Sequence, residues 1–296
     1  MKVIMASVWG MCMGVRRALQ TARTEKDPTR IAIYGELVHN ADINQEMRMR
    51  GYQIVAESEK GKFITAPEIM ITAHGISQLE LSRLAGQGKR MIDTTCPLVK
   101  NIQNQARKLH DEGYHVIVLG KVGHVEVKGI TGDLENYSVV SSEQDVRSYP
   151  CHKLGVLCQS TFSPRAVPKI MDEIQRKNPE SEIYWVNTIC EPTKRRQQAV
   201  IQLANQVDCL VVVGGKNSNN TRELVELGIS LGLKVYQVES SGDISPDMFY
   251  SFRVVGLTAG TSTPDWVVEE IRETLMQIPP TTGIYLSDMQ DFTKAV

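Results

Sequence analysis

Short apolar runs alternate along the chain with longer stretches in which apolar residues recur every three or four positions, the signature of parallel strands joined by amphipathic helices. Three of these runs stop at a cysteine: KVIMASVWGMC at Cys12, RMIDTTC at Cys96 and EIYWVNTIC at Cys190. A helical stretch follows each one, MGVRRALQTARTE, PLVKNIQNQARKLHDEG and EPTKRRQQAVIQLANQ, and Pro97 and Pro192 sit where a first helical turn tolerates proline. Each helix leads to a buried-looking strand and a polar loop, in RIAIYGELVHN, YHVIVLGKVGHVEVKG and CLVVVGGKNSNN. The intervals repeat: 27 residues from Cys12 to His39, 28 from Cys96 to His124 and 28 from Cys190 to Ser218. A further strand in each repeat ends in a second polar loop, in EIMITAHGIS, KLGVLCQSTFS and FRVVGLTAGTSTP.

This threefold repetition predicts an α/β protein made of three similar domains with mainly parallel sheets. The expected boundaries are 13–95, 96–187 and 188–281, with the N-terminal strand 1–12 joining the third domain. A tail, 282–296, has no assigned role beyond a possible strand at Ile284 to Leu286. Ligands of open parallel sheets bind beyond the carboxyl ends of the strands. A pseudo-threefold arrangement would therefore turn three cysteines and six polar loops toward one cavity.

Composition narrows the function. The 296 residues carry 33 Lys+Arg against 34 Asp+Glu and only 6% aromatics, which argues against a nucleic-acid binder. No apolar run approaches the ~18 residues of a membrane span. The N-terminus lacks a signal-peptide cleavage site, and Met11 before Cys12 does not suit a lipoprotein signal, so the expected location is cytoplasmic. In a reducing compartment the six cysteines are expected as fillers, metal ligands or nucleophiles rather than disulfides.

A cysteine at a helix N-terminus has its thiolate favoured by the helix dipole. Three such residues suit a metal centre better than covalent catalysis, which needs one. A four-iron cluster held by three cysteines leaves one iron without a protein ligand, whereas structural zinc closes its shell with a fourth. The bland alternative makes all three small buried hydrophobes. Cys151, Cys158 and Cys209 fall outside the register and read as fillers, although Cys158 shares a strand face with Ser160.

His39, Asn40, His74, His124, Glu126, Ser160, Thr161, Ser218, Asn219, Asn220 and Ser262 stand in the six loops, mostly beside glycines, and resemble an anion cradle without a Walker loop. Glu126 reads either as an enclosed, protonated carboxyl acting as a proton donor or as a surface residue pairing with Lys128. Lys100, Arg195 and Arg196 read as solvated helix positions or ion pairs.

GMCMGVRRAL, TAHGIS, DTTCPLV, GHVEVKGITG, QST, TICEPTKRRQ, GGKNSNNTREL and TAGTSTPDW, in this order from about residue 3 to 270, resemble the 4-hydroxy-3-methylbut-2-enyl diphosphate reductase (IspH/LytB) family. The resemblance implies a trefoil of three α/β domains around a [4Fe-4S] cluster held by Cys12, Cys96 and Cys190. It implies an oxidoreductase of isoprene biosynthesis, in the methylerythritol phosphate pathway. Such an enzyme removes the allylic hydroxyl of its diphosphate substrate with two electrons and protons, giving isopentenyl and dimethylallyl diphosphates. Catalytic roles fall to Glu126, His124 and Thr161. Substrate binding falls to His39, His74, His124, Ser160, Thr161, Ser218, Asn219, Asn220 and Ser262. The electron donor would be ferredoxin or flavodoxin.

Three positions depart from the family pattern: Val125 replaces the proline of GHPEV, Ser160 a threonine and Asn219 a serine. They keep open a paralogue acting on another phosphorylated or allylic substrate. A non-enzymatic iron–sulfur carrier or redox sensor is the competing class, with Cys158 as its candidate fourth ligand.

Overall fold

The structure is a computed structural model that describes residues 1–279. The tail 282–296, with its expected strand, lies outside the described residues. The chain opens with β1 (Lys2–Met5) and α1 (Met13–Thr24), then runs β2 (Ile31–Tyr34), α2 (Ala41–Met49), β3 (Gln53–Val55), β4 (Glu68–Ile71), α3 (Gln78–Ala85) and β5 (Arg90–Asp93). It continues through α4 (Pro97–Asp111), β6 (His115–Leu119), α5 (Val125–Thr131), β7 (Tyr137–Val140), β8 (Lys153–Cys158), α6 (Val167–Lys177) and β9 (Glu182–Val186). The last described elements are α7 (Glu191–Ala204), β10 (Cys209–Val213), α8 (Asn219–Ser230), β11 (Lys234–Val238), β12 (Val254–Ala259) and α9 (Asp265–Gln277).

Among the described residues the strands form three four-stranded sheets, ordered β3-β2-β4-β5, β7-β6-β8-β9 and β11-β10-β12-β1, and every pairing there is parallel. The expectation of three parallel-sheet α/β units thus describes the fold. β1 takes the fourth place in the last sheet through its pairing with β12.

Central strands are apolar without alternation, as in IAIY and CLVVV, because helices cover both faces and bury every side chain. Edge strands such as β9, EIYWV, are only partly buried. The helices follow the same logic. α1 buries Val15, Ala18, Leu19 and Ala22 on one stripe, and α4 starts at Pro97 and buries Val99, Ile102, Ala106 and Leu109. Each fully buried Val, Leu or Ile side chain among these contributes roughly 1.5–3 kcal/mol.

The chain divides into two compact units. Met13–Cys190 holds the first two sheets, and Met1–Cys12 with the chain from Glu191 onward holds the third. In every sheet the order reverses between the two central strands, β2/β4, β6/β8 and β10/β12. Loops leaving such neighbours part to opposite sides of the sheet and open a crevice, so strand order alone marks the loops after these six strands.

Candidate functional site

Three cysteines stand in equivalent local settings. Cys12, Cys96 and Cys190 immediately precede α1, α4 and α7, and each is partly exposed and outside any disulfide. Each is anchored by its backbone N–H: Cys12 to Thr261 O at 3.0 Å, Cys96 to Ala73 O at 3.0 Å and Cys190 to Ser160 O at 2.9 Å. The acceptor is in every case the second residue past a central strand, β12, β4 or β8. Gly14 explains the room at Cys96. A Cβ built on Gly14 would lie 2.6 Å from Cys96 Sγ, so the absent side chain leaves space beside the sulfur.

The loops after β2, β6 and β10 end in helix caps that also repeat. Asn40, His124 and Ser218 are the N-caps of α2, α5 and α8, their side chains accepting from Ile43, Glu126 and Thr221 N–H respectively. All three stand 28 positions after their cysteines. The sequence spacing had matched His39 instead, one residue short of the true equivalent, because HN offers two polar residues and only Asn40 caps the helix.

In the unit Met13–Cys190, His39, His74 and His124 form a cluster. Ring centroids lie 4.2 Å apart for His39 and His74, 5.2 Å for His39 and His124, and 5.8 Å for His74 and His124. Burial, reinforced by the neighbouring His39 and His124, holds the His74 imidazole well below its usual range, so His74 is neutral. Its Nε2 is buried with no hydrogen-bond partner among the described residues. His39 Nδ1 lies 2.9 Å from Glu36 Oε2. A cleft of about 210 Å³ is lined by Glu36, His39, Arg48, Thr72, His74 and Val125, the last at the first position of α5.

Glu126, the second residue of α5, is 3% exposed. Ser160 N–H donates to its Oε1 at 2.6 Å and Ser160 Oγ to its Oε2 at 2.8 Å. Burial raises its pKa, against the opposing pull of the Ser160 hydrogen bonds and of His39. The surface reading of Glu126 is therefore incorrect, and Lys128 is exposed on the same helix. The hydroxyl on this carboxylate belongs to Ser160. Thr161, expected in the catalytic set, accepts from Gln159 Nε2 at 3.3 Å.

In the other unit, Ser218, Asn219, Asn220 and Ser262 are all buried. Asn220, the second residue of α8, accepts Thr261 N–H on Oδ1 at 3.0 Å, while its Nδ2 is buried without a partner among the described residues. Asn219 Oδ1 accepts from Arg222 on its own helix.

Two further expectations change. Arg196 is 4% exposed rather than solvated, and its guanidinium donates to Pro192 O at 3.0 Å and to Gly10 O, fixing the chain just before Cys12. Sequence gave no signal for this, since TKRRQ reads as a charged face. Cys158, the candidate fourth ligand, is fully buried in an apolar cluster with Ile117, Val156, Ile170 and Ile174. Lys100 and Arg195 are ordinary ion pairs with Asp93 and Glu191.

Comparison with known proteins gives one answer. The sequence profile of the LytB protein family matches residues 3–276. The chain is 31% identical over 283 residues to the 4-hydroxy-3-methylbut-2-enyl diphosphate reductase of Caldanaerobacter subterraneus subsp. tengcongensis, covering 94% of this chain and 98% of the relative. It is 36% identical over 275 residues to the protein of the same name from an Anaeromyxobacter species, covering 92% and 95%. The fold is similar to that of the E-1-hydroxy-2-methyl-but-2-enyl-4-diphosphate reductase from Plasmodium falciparum, with a TM-score of 0.85 at 22% identity, covering 99% of this chain and 98% of that one. The chain belongs to the LytB protein family.

Proposed function

We propose that the chain reduces 4-hydroxy-3-methylbut-2-enyl diphosphate, removing its allylic hydroxyl with two electrons and protons to give isopentenyl and dimethylallyl diphosphates. The observation that carries this reading is Glu126: a buried carboxyl with a raised pKa, bonded to a serine hydroxyl and adjoining a cluster of three imidazoles. Burial raises the pKa of this carboxyl and so favours the protonated form that a proton donor needs. Ser160 orients it through both oxygens, and His124 Nδ1 accepts Glu126 N–H at 3.1 Å, which sets the start of the helix that carries it.

The diphosphate-binding set we assign comprises His39, His74 and His124 with Ser218, Asn220 and Ser262. His74 Nε2 and Asn220 Nδ2 support it, each being a buried polar atom with no partner among the described residues and each able to bond an anion oxygen. Ser160 and Thr161 would contact the reacting end of the substrate. Asn219 is assigned to the diphosphate side, where its amide oxygen already accepts from Arg222.

Cys12, Cys96 and Cys190 would hold a [4Fe-4S] cluster. The donor set fits: three cysteines with the same backbone anchoring at helix starts, with the absent Gly14 side chain leaving space beside the sulfur of Cys96. When bound, such a cluster supplies the electrons and an iron without a protein ligand. The electron donor would be a ferredoxin or flavodoxin, in the reducing cytoplasm that suits thiolate ligands. The carrier reading loses its internal fourth ligand, because Cys158 is enclosed among aliphatic side chains.

Anaerobic purification with iron and sulfide analysis, then dithionite-coupled turnover of 4-hydroxy-3-methylbut-2-enyl diphosphate, tests the proposal. Glu126→Gln should keep the cluster and bind the diphosphate while losing most turnover. Full activity in that variant removes the proton route, and a cluster without turnover in the unmodified chain points to another substrate.

A further inference from the structure

The anchoring of the cysteines extends one residue further than the cysteines themselves. Ser160, whose carbonyl receives Cys190 N–H, has its own N–H clamped by Glu126 Oε1 at 2.6 Å. Thr261, whose carbonyl receives Cys12 N–H, has its own N–H clamped by Asn220 Oδ1 at 3.0 Å. Glu126 and Asn220 occupy the same place in their units, the second residue of the helix after the first central strand, and they are 3% and 1% exposed. In the repeat built on the sheet β3-β2-β4-β5 the equivalent residue, Asp42, is exposed, and Ala73 N–H goes to Leu37 O at 3.3 Å.

We propose that Glu126 and Asn220 are positioning residues for Cys190 and Cys12, each clamping the loop residue from which a cysteine hangs, in addition to any role toward substrate. A clamped N–H fixes φ of the loop residue and so the aim of its carbonyl. That carbonyl orients the cysteine N–H and the first turn of the helix that follows. Both clamps need only an acceptor oxygen, so Glu126→Gln and Asn220→Asp retain them, while alanine leaves a buried N–H unsatisfied. The side-chain amide of Asn220 is thereby divided: its oxygen serves the loop, and its nitrogen is left for a ligand.

Loss of a group that orients a metal ligand typically lowers metal retention about 10–100-fold. The iron readout rests on the function proposed above, whereas the tether can be read without metal. The test uses the full chain, unmodified and as Asn220→Ala, Asn220→Asp, Glu126→Ala and Glu126→Gln. In the metal-free protein, iodoacetamide labelling rates are followed separately at Cys12, Cys96 and Cys190 by peptide mass spectrometry. After reconstitution, iron loss to a chelator is timed.

The expected pattern is selective. Asn220→Ala changes labelling at Cys12 severalfold and Glu126→Ala at Cys190, Cys96 is unaffected by both, and the Asp and Gln variants follow the unmodified chain. Iron leaves the alanine variants on the order of 10-fold faster or more. Unchanged labelling of the matching cysteine, or an equal change at all three, overturns the proposal. Where an alanine variant does not fold, the same selectivity is read at Asn220→Ser and Glu126→Ser, whose side chains are too short to reach the loop N–H. An unmodified chain that holds no iron sinks the cluster and leaves the labelling pattern to decide the tether.

Discussion

Gly14→Ala sets helix propensity against packing at Cys96, and the two predict opposite signs. Gly14 is the second residue of α1, and alanine in a helix is favoured over glycine by about 1 kcal/mol. Propensity alone therefore gives a more stable chain. The new Cβ, however, would stand 2.6 Å from Cys96 Sγ and 3.1 Å from Cys96 Cβ. Non-bonded contacts of this type are comfortable at about 3.5–4.0 Å, so the sulfur is overlapped by roughly 1 Å. Relief requires the sulfur to rotate away or α1 and α4 to part, and overpacking of this order costs about 1–3 kcal/mol. The net expectation is destabilisation of about 0–2 kcal/mol, a matter of a few degrees in Tm.

Because that range reaches zero, the decisive quantity is the coupling. Urea unfolding of the metal-free chain, Gly14→Ala, Cys96→Ala and the double variant closes a mutant cycle. With the sulfur removed, the remaining 3.1 Å carbon contact needs a shift of only a few tenths of an ångström. Gly14→Ala should then be near neutral or stabilising, with an interaction energy of about 1–3 kcal/mol between the two sites. Iron per chain after reconstitution should fall in Gly14→Ala even where stability barely moves. A gain of about 1 kcal/mol from Gly14→Ala alone, with coupling within about 0.3 kcal/mol of zero, would refute the contact.

Other perturbations give equally definite expectations. His74 is held neutral in the fold while the unfolded chain takes up a proton below about pH 6.5, so stability falls as pH drops through that value. His74→Gln should flatten that part of the urea-midpoint profile, and an unchanged slope contradicts the assignment. Glu126 has a raised folded pKa, so its ionisation penalty is absent in acid and grows as pH rises above the ordinary carboxylate range near 4.3. Metal-free Glu126→Gln should therefore be more stable than the unmodified chain at pH 8, with the gap closing toward pH 4; a constant gap rejects the linkage. Asp133 accepts the first N–H groups of α3 from Gln78 and Leu79, both at 2.8 Å, and pairs with Arg107 at 3.1 Å. Asp133→Ala should cost about 1–3 kcal/mol and Asp133→Asn less, and a midpoint shift worth under about 0.3 kcal/mol would show these bonds to be idle.

The parts of the fold that repeat were legible because strands and cysteines recur at nearly constant spacing. What the pattern missed was set by contacts distant in sequence. GHVEVKG reads as a polar loop, since Gly123 and Gly129 bracket β-branched residues of low helix propensity. Val125–Thr131 is nevertheless helical, because His124 caps it and Val127 and Ile130 pack into the cluster that holds Ile102 and Ala106 of α4. Ser160 and Thr161 are adjacent hydroxyls, and only the turn beyond β8 decides which one meets Glu126. Arg196 is invisible for the same reason: its acceptor Gly10 lies 186 residues away in sequence.

The repeat also explains why residues of unlike chemistry do related work. Position two of the capped helix is Asp42 in the first repeat, Glu126 in the second and Asn220 in the third. The cap, the strand order and the cysteine tether are common to all three, so each repeat presents an equivalent loop N–H donor that needs an acceptor. Where the loop N–H finds a backbone carbonyl, as Ala73 does at Leu37, the side chain is released to solvent and can be any helix-compatible residue. Where it does not, an oxygen is required, and either an amide or a carboxyl can supply it. A shared structural requirement thus leaves the second polar atom unspecified. At Glu126 that atom is a second oxygen on the Ser160 hydroxyl, and at Asn220 it is a buried nitrogen with no protein partner. The fold fixes the clamp, and the free choice of the remaining atom is where the proposed proton-donor role of Glu126 and the proposed anion-binding role of Asn220 would part.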